Sequence, residues 1–103
     1  MGLQLHRQDD TSTAVDSLML AMGIAAESLR LVGPALVEIV TLRRGRICLQ
    51  PTDLNRGEQL VQILGCESPL DHRMFVPGHT LWTGERGGLE VQVRSALRKV
   101  VAR

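Results

Sequence analysis

The chain has 103 residues, enough for one domain with its own core and no need of metal or disulfide staples. Twelve Lys and Arg stand against eleven Asp and Glu, so bulk charge gives no argument for a nucleic-acid or membrane partner. Phe75 and Trp82 are the only aromatic residues, which excludes a base-stacking platform for single strands.

Residues 1–13 are polar and crowd Asp9, Asp10, Thr11, Ser12 and Thr13 together, which reads as a flexible N-terminal arm ending in a helix cap. Thr13 with Asp16 three residues on resembles a capping box, so a helix is expected to begin near Ala14 and a single α+β domain to occupy 14–103. Val15, Leu18, Met22, Ala25, Leu29 and Val32 recur at spacings of three and four, the stripe of one helix face, and Gly33-Pro34 ends it. Met19, Leu20, Ile24 and Leu31 lie off that stripe. A helix apolar on nearly all sides is one that buries nearly all sides, in the core or against a second subunit.

The uncharged run from Ser17 to Ala26 is ten residues, short of the roughly 20 that span a bilayer, and no membrane helix is expected. Acidic residues precede the run where a signal peptide carries basic ones, and His6 stands where myristoylation asks for Ser or Thr. Two cysteines without a spaced framework suit reduced thiols, and the cytoplasm is the expected compartment.

Leu36 to Pro51 is the clearest β signal. Val37, Ile39, Val40 and Thr41 precede a turn containing Gly45, and Ile47 and Leu49 follow it. A two-residue turn at Arg44-Gly45 sets Leu42 opposite Ile47 and Val40 opposite Leu49, placing Leu36, Val40, Leu42, Ile47 and Leu49 on one face with Leu18, Met22, Ile24 and Leu29 over them. A three-residue loop would pair Thr41 with Ile47 instead and split the apolar set. Under the two-residue turn, Val37, Ile39, Thr41 and Cys48 share the second face, which forms the candidate surface for a ligand or partner.

Thr52 and Asp53 can cap a short helix that carries Leu54, Val61 and Leu64 and stops at Gly65; a strand over 58–64 competes with it. Cys66 to Gly88, rich in Gly and Pro, is expected to be a long irregular loop with extended pieces at 74–76 and 80–83. From Leu89 on, Leu89, Val93, Leu97 and Val101 recur every four residues as in a helix, whereas Leu89 to Val93 alternates as in a strand. A C-terminal helix is expected, because Arg94, Arg98, Lys99 and Arg103 would complement its dipole.

Chemistry is sparse. Gly84-Glu-Arg-Gly-Gly before a helix could hold an anion on free N–H groups, with Arg86 beside it, but it lacks the Lys and Ser/Thr of a P-loop. Cys48, Cys66, His72 and His79 lack the spacing of a zinc site, and Asp71-His72 is tied to no nucleophile. No metal, cofactor or catalytic residue is assigned. The loop candidates are His72, His79 and Trp82, and the candidate contacts to an anion or nucleic acid are Arg43, Arg44, Arg46 and Arg86. The expected function is a non-catalytic binding or assembly module, a homodimer taking a protein or small ligand on the sheet face. Nucleic-acid binding by the arginines and a small enzyme or anion site at 66–88 are the alternatives.

Overall fold

The computed structural model describes residues 2–99, with side chains at 17–99. It is a mixed α+β fold of two helices and one five-stranded mixed sheet. Helix α1 (Gly2–Val32) leads through a 3-10 turn (Pro34–Leu36) into the hairpin of β1 (Val37–Arg43) and β2 (Arg46–Pro51). A second 3-10 turn (Leu54–Arg56) and α2 (Gly57–Leu64) follow, then β3 (Ser68–His72), β4 (His79–Arg86) and β5 (Leu89–Ala96). The strand order is β1-β2-β5-β4-β3; β2 and β5 run parallel and all other neighbours antiparallel.

The hairpin has the two-residue turn. Leu42 faces Ile47 and Val40 faces Leu49, with Gly45 at a φ of 79° that favours glycine. A bulge between Val37 and Ile39 shifts the pairing by one, so Val37 faces the buried Pro51 and packs on the core instead of joining Ile39, Thr41 and Cys48.

Both helices cover the same face of the sheet. Ile47, Leu49, Leu89, Val91 and Val93 fill its middle beneath Leu60, Val61 and Leu64 of α2 and Ala21, Ala25 and Val32 of α1. Small side chains at 21, 25 and 28 let α1 approach closely, and the buried Ser28 hydroxyl donates to the Ile24 carbonyl at 2.7 Å. Ile24 and Leu29 pack on this core as expected, but Leu18 and Met22 are 41% and 49% exposed. The buried stripe is centred on Ala21, Ala25, Ser28 and Val32, which leaves Met22 to one side and Leu18 a turn short of the core.

Three expectations are corrected. The helix runs from Gly2, well before Ala14, since no Pro interrupts 2–32 and the Asp, Ser and Thr cluster is only weakly unfavourable in a helix. The Thr13 and Asp16 side chains of the capping box, and Val101 and Arg103, lie outside the described residues. The segment 66–88 is mostly a hairpin: Pro69 is tolerated because β3 is an edge strand. The stretch from Leu89 is the strand β5, with Leu89, Val91, Val93 and Ser95 buried in alternation. The helix expected after Asp53 forms over Gly57–Leu64 and ends at Gly65 with φ 73°, but Asp53 caps the preceding 3-10 turn, accepting from the Asn55 N–H at 3.0 Å, while α2 starts behind Arg56 without a side-chain cap. Among the described residues, no helix is long and apolar enough to cross a membrane.

Candidate functional site: the open face of the sheet

Strand alternation sends one set of side chains under the helices and the other to a face that no described element covers. Three cross-strand rows define this open face. Arg43, Arg46, Glu90 and Glu85 form the first, Thr41, Cys48, Gln92 and Thr83 the second, and Ile39, Gln50, Arg94 and Leu81 the third, where the Gln50 and Arg94 side chains continue the row just past the paired residues of β2 and β5. β3 extends them with Ser68 beside Thr83, Leu70 beside Leu81 and His72 beside His79.

The rows are cross-linked. The Arg46 guanidinium pairs with the Glu90 carboxylate, and Arg94 Nη1 donates to Gln50 Oε1 at 3.2 Å. Between them lies a shallow hollow of about 290 Å³ lined by Thr41, Arg43, Arg46, Cys48, Gln92 and Arg94. Burial pushes the Cys48 thiol above its ordinary pKa, outweighing the opposing pull of Arg94 and Arg46. It therefore stays protonated and weakly nucleophilic at neutral pH.

At one end, the His72 and His79 rings lie 4.8 Å apart, with Phe75 at 5.3 Å from each. Burial lowers the His79 pKa, followed by Arg94 and His72. Phe75, Val76 and Pro77 meet Gln50, Leu54, His79 and Arg94 around a second hollow of about 520 Å³. Met74 and Val76 at the loop tip are 92% and 98% exposed.

The remaining candidates lie elsewhere. Trp82 points to the covered face, where its Nε1–H donates to Ser95 Oγ at 2.9 Å. Arg86 is on that side too, its Nη2 3.4 Å from Glu27 Oε1, and so does not join His72 and His79. Arg44 sits in the hairpin turn and is exposed. Asp71 and His72 face opposite ways: Asp71 accepts from Thr80 Oγ1 at 2.8 Å and Arg98 Nε at 3.0 Å, which hold its carboxyl below the usual range. Gly84 belongs to β4 and the segment after Gly87-Gly88 is a strand, so the glycine stretch has no helix N-terminus behind it to bind an anion. Cys48 and Cys66 are free thiols, Cys66 buried with its Sγ 3.7 Å from the Val91 carbonyl. Among the described residues, no cluster of three His, Cys, Asp or Glu could hold a metal ion.

Glu85, Glu90, Gln92 and Arg94 complete the face yet escape a sequence search, because a helical C-terminus scatters them round a cylinder. The alternation Leu89-Glu90-Val91-Gln92-Val93 is the signal that places Glu90, Gln92 and Arg94 together. The chain matches no protein-family model and has no significant match among curated proteins or solved structures.

Proposed function

We propose that the protein is a non-catalytic binding and assembly module that works through the open face of its sheet. The observation that carries this is the one-sided cover: both helices pack on one face and leave Ile39 and Leu70 on the other, 48% and 59% exposed. A parallel strand pair is ordinarily covered on both sides, and here β2 and β5, parallel and near the middle of the sheet, are covered on one. The hollows are shallow and open, so the surface suits a macromolecular partner better than an enclosed small ligand. Two unpaired thiols, the more accessible of them kept protonated, suit a reducing compartment such as the cytoplasm.

Cys48 reports directly on this face and Cys66, buried in the core, is its internal control. Alkylation of Cys48 in the full chain is expected to slow as protein concentration rises and assembly proceeds, while Cys66 stays unreactive throughout. Assembly seen by sedimentation with Cys48 labelled at an unchanged rate would move the contact to the apolar flank of α1, where Met19, Leu20 and Leu31 are exposed, and would defeat the reading.

A further inference from the structure

We propose that the occupant of the open face is a second copy of this chain, turned over about a two-fold axis that lies along the strands above the β2–β5 seam. The inference rests on the open face being the working surface and adds its partner and register. Read across β1, β2, β5 and β4, the first row is Arg43, Arg46, Glu90, Glu85: two cations, then two anions. The second is Thr41, Cys48, Gln92, Thr83 and the third Ile39, Gln50, Arg94, Leu81, each with like residues at its ends. About the seam, charge reverses sign along the first row and the outer residues match in kind in the other two, while Arg94 mirrors the uncharged Gln50 and Cys48 mirrors Gln92.

A surface with that pattern is complementary to itself. Rotation about an axis parallel to the strands lays β1 of one copy over β4 of the other and β2 over β5. Arg43 then meets Glu85, Arg46 meets Glu90, Thr41 meets Thr83, Ile39 meets Leu81 and Gln50 meets Arg94, each contact made twice as an isologous interface requires. The strands of the two copies keep a common direction, the aligned packing that two twisted sheets adopt at roughly 30°. The axis at right angles, across the strands, lays Glu90 over Arg94 but also Arg43 over Ile39 and Glu85 over Leu81, two charges against apolar partners at the exposed ends of the row. Among the described residues, Arg43 and Glu85 make no ion pair within the chain, so the dimer supplies the counter-ion that each lacks.

Sedimentation equilibrium on the full chain tests the register, with circular dichroism confirming that each variant is folded; Arg43 and Glu85 are both exposed. Wild type is expected to form a reversible species of twice 11.3 kDa. R43E alone and E85R alone each set like charges together at two symmetric places and are expected to weaken dimerisation by about tenfold or more. R43E/E85R restores both pairs with reversed sign and is expected to return to within about threefold of wild type, since the coupling is between those two residues. A double variant no tighter than the single ones overturns the proposal, as does a chain still monomeric at ~1 mM. Protection of Cys48 on assembly together with a failed charge swap leaves the open face as the surface and removes only this register. Unprotected Cys48 removes both.

Discussion

Gly57 opens α2 directly beneath β5, and its missing side chain is what allows that contact. A Cβ placed there would stand 2.5 Å from the Ser95 Cα and closer still to the Arg94 carbonyl oxygen, both backbone atoms of a central strand. Gly57→Ala should therefore destabilise the fold by about 1–3 kcal/mol despite the better helix propensity of Ala, as overpacking does. Gly23, exposed on α1 with nothing within 4 Å, predicts the opposite sign: Gly23→Ala should stabilise by roughly 0.5–1 kcal/mol. Urea unfolding of the two variants beside wild type checks both. His79 supplies a pH test at the same scale. Burial, with Arg94 and His72 nearby, lowers its pKa in the folded chain, so below about pH 6.5 the unfolded chain takes up a proton that the folded chain resists. Stability is expected to fall as pH drops through that window, and His79→Gln should flatten the fall. Asp71 acts in a separate, more acidic window. Its carboxyl is lowered by Arg98 and Thr80, so its contribution is present above the ordinary carboxylate range and lost as pH falls through and below it.

The elements divide by how local their causes are. The β1–β2 hairpin is legible because its register follows from a two-residue turn and from Val40, Leu42, Ile47 and Leu49, all within a few residues of Gly45. The bulge that turns Val37 inward is not, since only its pairing with Pro51 shows it. α2 is legible through its stop at Gly65 and through Asp53, which caps the 3-10 turn leading into it. β5 is misread because its hairpin partner β4 lies in a segment that reads as loop, because its other partner β2 lies more than 40 residues upstream, and because Ser95, a polar residue at a core position, breaks the apolar alternation. The Trp82 N–H bonds to that hydroxyl, which in turn donates to the Ala96 carbonyl at 2.8 Å, satisfying a group that a sequence alone would place in solvent. Half the open face belongs to β4 and β5, whose strand character the sequence hides. The face expected from β1 and β2 is too apolar for water, whereas Glu90, Gln92 and Arg94 make the true one mostly polar. Packing also decides which leucines matter: Leu60 of α2 is fully buried, and Leu60→Ala should cost about 2–5 kcal/mol in urea unfolding. Leu20 on α1 is 48% exposed, and its change to Ala should stay within about 0.5 kcal/mol.

Taken together, several of the arginines, though not Arg43 or Arg44, are answered by carboxylates among the described residues. Arg46 pairs with Glu90, Arg86 with Glu27 and Arg98 with Asp71, and the net charge is +1. A phosphate backbone crossing the open face along the first row would pass Arg43 and Arg46 and then meet Glu90 and Glu85. Following the hairpin tip, it would find Arg43, Arg44 and Arg46, with Arg94 on the far side of the shared hollow and already bonded to Gln50. Non-specific affinity grows with the number of phosphates neutralised, each adding about 0.9 to the slope of log K against log salt, so two or three contacts give weak, readily screened binding. We therefore expect no sub-micromolar binding to double-stranded DNA or RNA at ~0.15 M salt, and only a small change when Arg43, Arg44 and Arg46 are all replaced by Ala. Fluorescence anisotropy with a labelled duplex, titrated at several salt concentrations, decides it. Tight binding at physiological salt that the triple variant abolishes would make the hairpin tip a nucleic-acid contact. The same triple variant should weaken self-association, because Arg43 and Arg46 are the cations that the second copy's Glu85 and Glu90 would meet. Loss of dimer without any loss of polyanion binding is the pattern that assigns these arginines to assembly.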